Sequence, residues 1–149
     1  MRQLNLPSFD CKIKESEGKT WIFDPIRKKY LVLTPEEWVR QHLVNLLIQH
    51  LGYPASLIKL EGGLSYEKLD KRSDILVFDR DAKPFLLVEC KAPEVPVSKK
   101  TVEQASRYNK ILKAPYLAVS NGLKTFCFSV DFIKNETVQM TGFPEFSFP

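Results

Sequence analysis

Arg72-Ser73-Asp74-Ile75-Leu76-Val77-Phe78 and, six residues further on, Phe85-Leu86-Leu87-Val88-Glu89-Cys90-Lys91 decide how this chain folds. Both are short apolar runs, and Asp79-Arg80-Asp81-Ala82-Lys83-Pro84 between them has the composition of a turn, so the pair predicts a β-hairpin. Side chains alternate faces along a strand. Asp74, Leu76 and Phe78 therefore share one face, while Glu89 and Lys91 share one face of the partner strand. Two carboxylates held side by side on rigid strands repel one another unless one takes a proton or a cation sits with them, so the pair favours a bound divalent cation. Lys91 adds positive charge beside it.

Working outward, Thr34-Pro35-Glu36-Glu37 predicts a helix start, with Thr34 as N-cap, Pro35 at the first helical position and Glu37 closing a capping box. Val39, Leu43, Leu46, Leu47 and Trp38 recur at helical spacing, and Gly52-Tyr53-Pro54 ends the helix near Leu51. Before it, alternation through Phe9, Cys11 and Ile13, a turn over Glu15 to Lys19, and Trp21 with Phe23 predict a strand or hairpin leading to Tyr30-Leu31-Val32-Leu33. Leu57-Ile58-Lys59-Leu60-Glu61 reads as a strand, and Gly62 to Arg72 as a charged loop. Beyond Lys91 the prolines of Ala92-Pro93-Glu94-Val95-Pro96 stop a central strand. Ser98 or Thr101 caps a second helix that reaches about Leu112, its apolar stripe being Val102, Ala105, Tyr108 and Leu112. Tyr116 to Ser120, the turn Asn121-Gly122 and Leu123 to Phe128 make a closing strand pair. This order of elements predicts an α/β domain with a mixed sheet and helices on both faces. The tail from Thr141 to Pro149 is aromatic and Pro-rich, either docked extended chain or a surface for a partner.

A chain of 149 residues, 44% of them hydrophobic, is expected to be one domain with a substantial core. The organisation expected is a core over about residues 34–128, an N-terminal extension over 1–33 and a tail over 141–149. Met1 to Pro7 lacks the apolar segment of a signal peptide and no apolar run approaches a membrane span, so a cytoplasmic location and no membrane partner are expected. Cys11, Cys90 and Cys127 form no C-x-x-C pair, which argues for reduced thiols rather than a disulfide framework or a zinc site. His42 and His50 show no metal-binding spacing. A net charge of +4 is compatible with nucleic-acid binding without requiring it.

Asp74, then Glu89-Cys90-Lys91, then Gln104-Ala105-Ser106-Arg107-Tyr108 resembles the PD-(D/E)xK nuclease superfamily. More narrowly, Thr34 to Gln41, Val88-Glu89-Cys90-Lys91-Ala92-Pro93, Gln104 to Tyr108 and Ser120-Asn121-Gly122 are similar to the N-terminal nuclease domain of type I restriction enzyme R subunits, over roughly Thr34 to Phe128. Ser73 stands where the superfamily has a proline. The R subunits couple this domain to an ATP-driven motor, and this chain has no G-x-x-x-x-G-K-[ST] loop, so translocation is not its own activity.

The resemblance implies a restriction-endonuclease-like α/β/α core with a mixed central sheet, and Mg²⁺-dependent endonuclease-type hydrolysis of DNA in restriction or repair, with Mn²⁺ as a substitute ion. Asp74 and Glu89 would ligate the cation together with the Cys90 carbonyl, and Lys91 would orient water or stabilise charge on phosphorus. Gln104 and Tyr108 share a helix face, which would let Gln104 reach Lys91 or a phosphate. Glu37 is a further candidate in catalysis, with the capping role competing for it and Glu36 as its substitute. Lys99, Lys100, Arg107, Tyr108 and Arg72 are candidate DNA contacts, joined by Lys68, Lys71, Lys110 and Lys113; solvated helix charges are an equal reading of each cation alone. Implied partners are DNA and a separate motor or specificity subunit, with a homodimer also open. The alternatives are a catalytically inactive DNA-binding or assembly module of a larger complex, and an interaction protein that uses Phe143, Phe146 and Phe148.

Overall fold

In the computed structural model of the chain, which describes residues 1–62 and 73–146, the first strands form a sheet of their own. β1 (Ile13–Ser16), β2 (Lys19–Asp24) and β3 (Lys29–Val32) pair antiparallel in that order. Glu17 and Gly18, at φ 54° and 73°, make the two-residue turn between β1 and β2, whose positive φ values suit the twist of a tight hairpin. Phe9 and Cys11, expected on the first strand, precede it.

α1 (Pro35–Asn45) starts where Thr34-Pro35 predicts, with Thr34 Oγ1 accepting from the Glu37 amide at 3.1 Å. It widens into a π-helical turn, Leu46–His50, and the chain leaves it through Gly52 at φ 73°. β4 (Ile58–Gly62), β5 (Ser73–Phe78) and β6 (Pro84–Cys90) then form an antiparallel meander. In the β5–β6 turn Asp79 Oδ1 accepts from the amides of Asp81 and Lys83 at 2.8 and 3.0 Å. α2 (Lys99–Leu112) crosses over to β7 (Tyr116–Ser120), which lies parallel to β6, as a parallel pair demands of its connection. Ser98 and Thr101, read as alternative caps, are two halves of one capping box. β8 (Thr125–Asp131) and β9 (Glu136–Met140) complete the order β4-β5-β6-β7-β8-β9.

Strand alternation divides the core into two layers. Ile75, Val77, Leu86, Val88 and Cys90 pack with Val39, Leu43 and Leu47 of the α1 segment on one face. Leu76, Leu87, Leu117 and Val119 pack with Val102, Ala105, Tyr108 and Leu112 of α2 on the other. The described residues are thus mixed α/β, with two α-helices, a three-stranded antiparallel sheet and a six-stranded mixed sheet carrying a helix on each face.

One strand lies outside the expected order, and the tail takes the first of its two expected forms. β9 is exposed along almost its whole length, so no apolar alternation announces it. The tail is docked: the Tyr53 hydroxyl donates to the Pro144 carbonyl, and the buried Phe146 ring lies 5.3 Å from Phe85 and 5.5 Å from Tyr53. Phe143 packs against the same core, which removes Phe143 and Phe146 as a free partner surface. Phe148 and the loop cations Lys68, Lys71 and Arg72 lie outside the described residues. No helix among the described residues is long and apolar enough to cross a membrane.

Candidate functional site

β5 and β6 set the site. Asp74 and Glu89 are direct cross-strand partners, and Glu61 of β4 is the direct partner of Asp74 on the other side. Directly opposed residues of antiparallel strands have Cα atoms about 4.5–5.5 Å apart, with side chains on one face. Glu61, Asp74 and Glu89 therefore form a row across three strands on the α2 face, continued by Val119 of β7. Exposure varies along the row: Asp74 is only 1% exposed, while the side chains of Glu89 and Glu61 are 17% and 32% exposed. Lys91 Nζ lies 3.3 Å from Glu89 Oε1, and the Lys91 amide donates to the Ser120 carbonyl at 2.8 Å, which ties the lysine to β7. The parity expected for Asp74, Glu89 and Lys91 is the one the strands adopt.

Cys90 points to the opposite face, into the α1 layer. Burial is the main cause that pushes its thiol well above the ordinary cysteine value; the Arg40 charge pulls it down, and Asp74, Glu89 and Glu37 push it up. A thiol held protonated in this way is no nucleophile. Burial likewise raises the Cys127 thiol to about 11. All three cysteines are free.

Glu37 does not close the expected capping box. Its amide is capped by Thr34, but its carboxylate turns inward to Arg40: Arg40 Nε donates to Oε2 at 2.9 Å and Arg40 Nη2 donates to Oε1, while Gln41 Nε2 donates to Oε2 at 2.9 Å. Arg27, which binds Asp24 at 2.7 Å, reaches to 3.9 Å from Glu37 Oε1. The physical reason is burial. Arg40 is wholly inaccessible, and a buried guanidinium demands a carboxylate far more strongly than a helix amide does. Arg40 Nη1 also donates to the Glu61 carbonyl at 2.7 Å, which links this network to the carboxylate row. Glu36 is half-buried.

On α2, Tyr108 reaches the row, its hydroxyl donating to Glu61 Oε2 at 3.2 Å. Gln104, one turn earlier, is exposed, as are Lys99, Lys100 and Arg107. Arg72 lies outside the described residues. His42 is buried, its Nδ1 2.8 Å from the Trp38 carbonyl and its ring against Phe9 and Trp38, which makes it a core-edge residue. Sequence reasoning passed over Glu61. Its signal was present: Ile58 and Leu60 alternate with Lys59 and Glu61, so the two charged residues had to share the other face of β4.

Among the described residues no group of three or more His, Cys, Asp or Glu side chains draws together tightly enough to hold a metal ion. The donor chemistry that remains, two adjacent carboxylates and backbone carbonyls, is the hard-oxygen set that suits Mg²⁺ or Mn²⁺.

Together the sheet and its row define the class: a mixed α/β domain that presents carboxylates and a lysine from neighbouring strands on one face. Residues 35–144 match the family described as Type I restriction enzyme R protein N terminus (HSDR_N), and the chain belongs to that family. The match runs past Phe128 and takes in β8 and β9. A fragment structure from Vibrio vulnificus YJ016, assigned to an HsdR subunit of a type I restriction enzyme, shares the fold at a TM-score of 0.52 and 23% identity, over 76% of this chain and 24% of that one. The chain thus spans about a quarter of that fragment's length. No curated protein matches it.

Proposed function

We propose that this domain hydrolyses phosphodiester bonds of DNA in a Mg²⁺-dependent, endonuclease-type reaction, on a restriction-endonuclease-like α/β/α core. The observation that carries the proposal is the direct pairing of Asp74 with Glu89, with Lys91 Nζ 3.3 Å from the latter, in a chain of the R-protein N-terminal family. Asp74 and Glu89 would hold the cation, with the Cys90 carbonyl as a third oxygen. A bound divalent ion polarises a phosphate oxygen and lowers the pKa of its water. Lys91, partly exposed and already beside Glu89, orients the attacking water and offsets charge developing on phosphorus. Gln104 joins the site as a supporting group, and Glu37 acts from behind the sheet by holding Arg40, which donates to the Glu61 carbonyl. Lys99, Lys100, Arg107, Tyr108 and Arg72 contact DNA; the cations among them position it without reading its sequence. The partners that follow are DNA and a separate motor or specificity subunit of a restriction complex.

Nicking of supercoiled plasmid in Mg²⁺ tests this. The parent chain should nick, and chelation should stop it. Asp74→Asn and Lys91→Ala should abolish nicking while the chain stays folded. Nicking by Asp74→Asn at the parental rate would reject the assignment; salt-dependent DNA binding with no nicking by the parent would identify an inactive assembly module instead.

A further inference from the structure

A pocket of about 50 Å³ lies between the second half of α2 and the β8–β9 hairpin. Ser106 and Lys110, four residues apart and so on one face of α2, line it from the helix, and Asn135 and Thr137 line it from the hairpin. Thr137 pairs with Val130 of β8, and Val130 packs in the α2 layer, so the threonine stands on the α2 face of the sheet. Both walls are fixed. The Asn109 carboxamide donates to the Ala114 carbonyl at 2.9 Å and accepts from the Ala114 amide at 3.0 Å, which secures the end of α2. Asp131 Oδ1 accepts from the amides of Ile133 and Lys134, which sets the turn leading to Asn135.

Among the described residues, the side chains of Ser106, Lys110, Asn135 and Thr137 find no hydrogen-bonding or charged partner, and no carboxylate lines the pocket. An ammonium, two hydroxyls and a carboxamide are the side-chain groups that proteins bring to phosphate oxygens. Size agrees with this chemistry. One water-sized atom needs about 10–15 Å³ of such a pocket, so there is room for about three to five, against the four oxygens of a phosphate. Leu117 and Val130 complete the lining with apolar surface, which offers no ligand to a cation. Thr137 lies on β9, three strands from Glu89 on β6; its partner Val130 is four residues along β8 from Phe126, which stands level with Glu89 through Val119. At about 4.8 Å per strand and 3.4 Å per residue the separation is about 20 Å, too far for a phosphate held here to be the one at the Asp74–Glu89 pair.

We propose that Ser106, Lys110, Asn135 and Thr137 form a phosphate-binding site at the seam between α2 and β9, separate from the Asp74–Glu89 pair and independent of hydrolysis there. Lys110 supplies the charge, while the two hydroxyls and the Asn135 amide fix the oxygens. The phosphate belongs either to the backbone of a nucleic acid or to a free phosphate compound, and the recognising chemistry is the same for both. The site gives the exposed strand β9 a task, which is to carry Thr137.

NMR titration of the whole chain with inorganic phosphate, at an ionic strength held constant with chloride, tests the site. Phosphate should shift the Asn135 carboxamide and the backbone amides of Ser106 and Thr137, and the shifts should saturate. Lys110→Gln removes the charge, and Ser106→Ala with Thr137→Val removes both hydroxyls at nearly unchanged shape. Either change should weaken phosphate binding about tenfold, the worth of a hydrogen bond to a charged group, with the melting temperature little changed. A second titration, with a DNA duplex in Ca²⁺, identifies the source. Shifts of the same resonances that are lost in Lys110→Gln assign the site to backbone phosphate; shifts with phosphate but not with DNA assign it to a free phosphate compound, and the site stands in both cases. No shift at these residues with phosphate or DNA, or parental affinity in both variants, would overturn it. Neither result bears on the Asp74–Glu89 site, which plasmid nicking tests on its own.

Discussion

Glu37→Gln is the change for which the structure and the bare capping motif give opposite answers. As a cap residue, Glu37 would lose only a helix-dipole interaction of a few tenths of a kcal/mol, because glutamine also closes a capping box. In the structure the carboxylate instead neutralises Arg40 through two donated hydrogen bonds, and both residues are almost wholly buried. Removing one charge of a buried pair leaves the other uncompensated, which typically costs about 3–5 kcal/mol. Glutamine retains one acceptor oxygen for Arg40, so the lower half of that range, about 3–4 kcal/mol, is expected. For a domain of this size each kcal/mol shifts the melting temperature by about 2–4 °C, so a fall of about 6–16 °C follows. Urea denaturation measures the free energy directly. Thr34→Ala, which removes the actual cap, should cost about 1 kcal/mol. Combining Glu37→Gln with Arg40→Met removes the buried charge that causes the penalty, and the double variant should be more stable than Glu37→Gln alone. A loss below about 1 kcal/mol in Glu37→Gln would refute the reasoning, since it would mean that Arg40 reaches water or another anion.

Replacing Lys99 and Lys100 together should flatten the salt dependence of DNA binding, measured in Ca²⁺, by about 0.9 for each phosphate that is no longer neutralised; an unchanged slope would confine both to solvent. Burial lowers the pKa of His42 below its ordinary 6.5, only partly opposed by its bond to the Trp38 carbonyl. The unfolded chain then takes up a proton that the folded one refuses, so stability should fall as pH drops below about 6.5 and level off below the folded pKa, and His42→Gln should lack that component of the pH–melting profile. Gly122 sits at φ 83°, and a Cβ there would lie 2.8 Å from Leu4 Cδ2. Gly122→Ala should therefore destabilise by about 1–3 kcal/mol in urea melts, whereas a neutral effect would show that the N-terminal segment yields freely.

Much of the fold was legible because its signals are local. Parity along two apolar runs was enough to place Asp74 against Glu89 and to turn Cys90 away from them, since a strand has only two faces and both were chemically marked. Thr34-Pro35, Ser98-x-x-Thr101 and Gly52 marked helix ends, because a cap is a contact between residues three or four apart. β9 escaped notice because it is held by backbone pairing to β8 while its side chains stay exposed, and such a strand needs no pattern. Glu61 was visible by alternation but gained meaning only from partners 13 and 47 positions away in sequence, Asp74 and Tyr108. The partner of Glu37 was the hardest of all to foresee. A glutamate three residues after a threonine serves a cap or a buried arginine equally well in sequence, and the choice fell to Arg40 because the tertiary fold excluded water from it. Sequence by itself determined periodicity, caps and the facing of the charged residues, which depend on neighbours a few bonds away. Tertiary structure alone decided which charges are buried and with whom, because the cost of removing a charge from water is set by everything that packs around it.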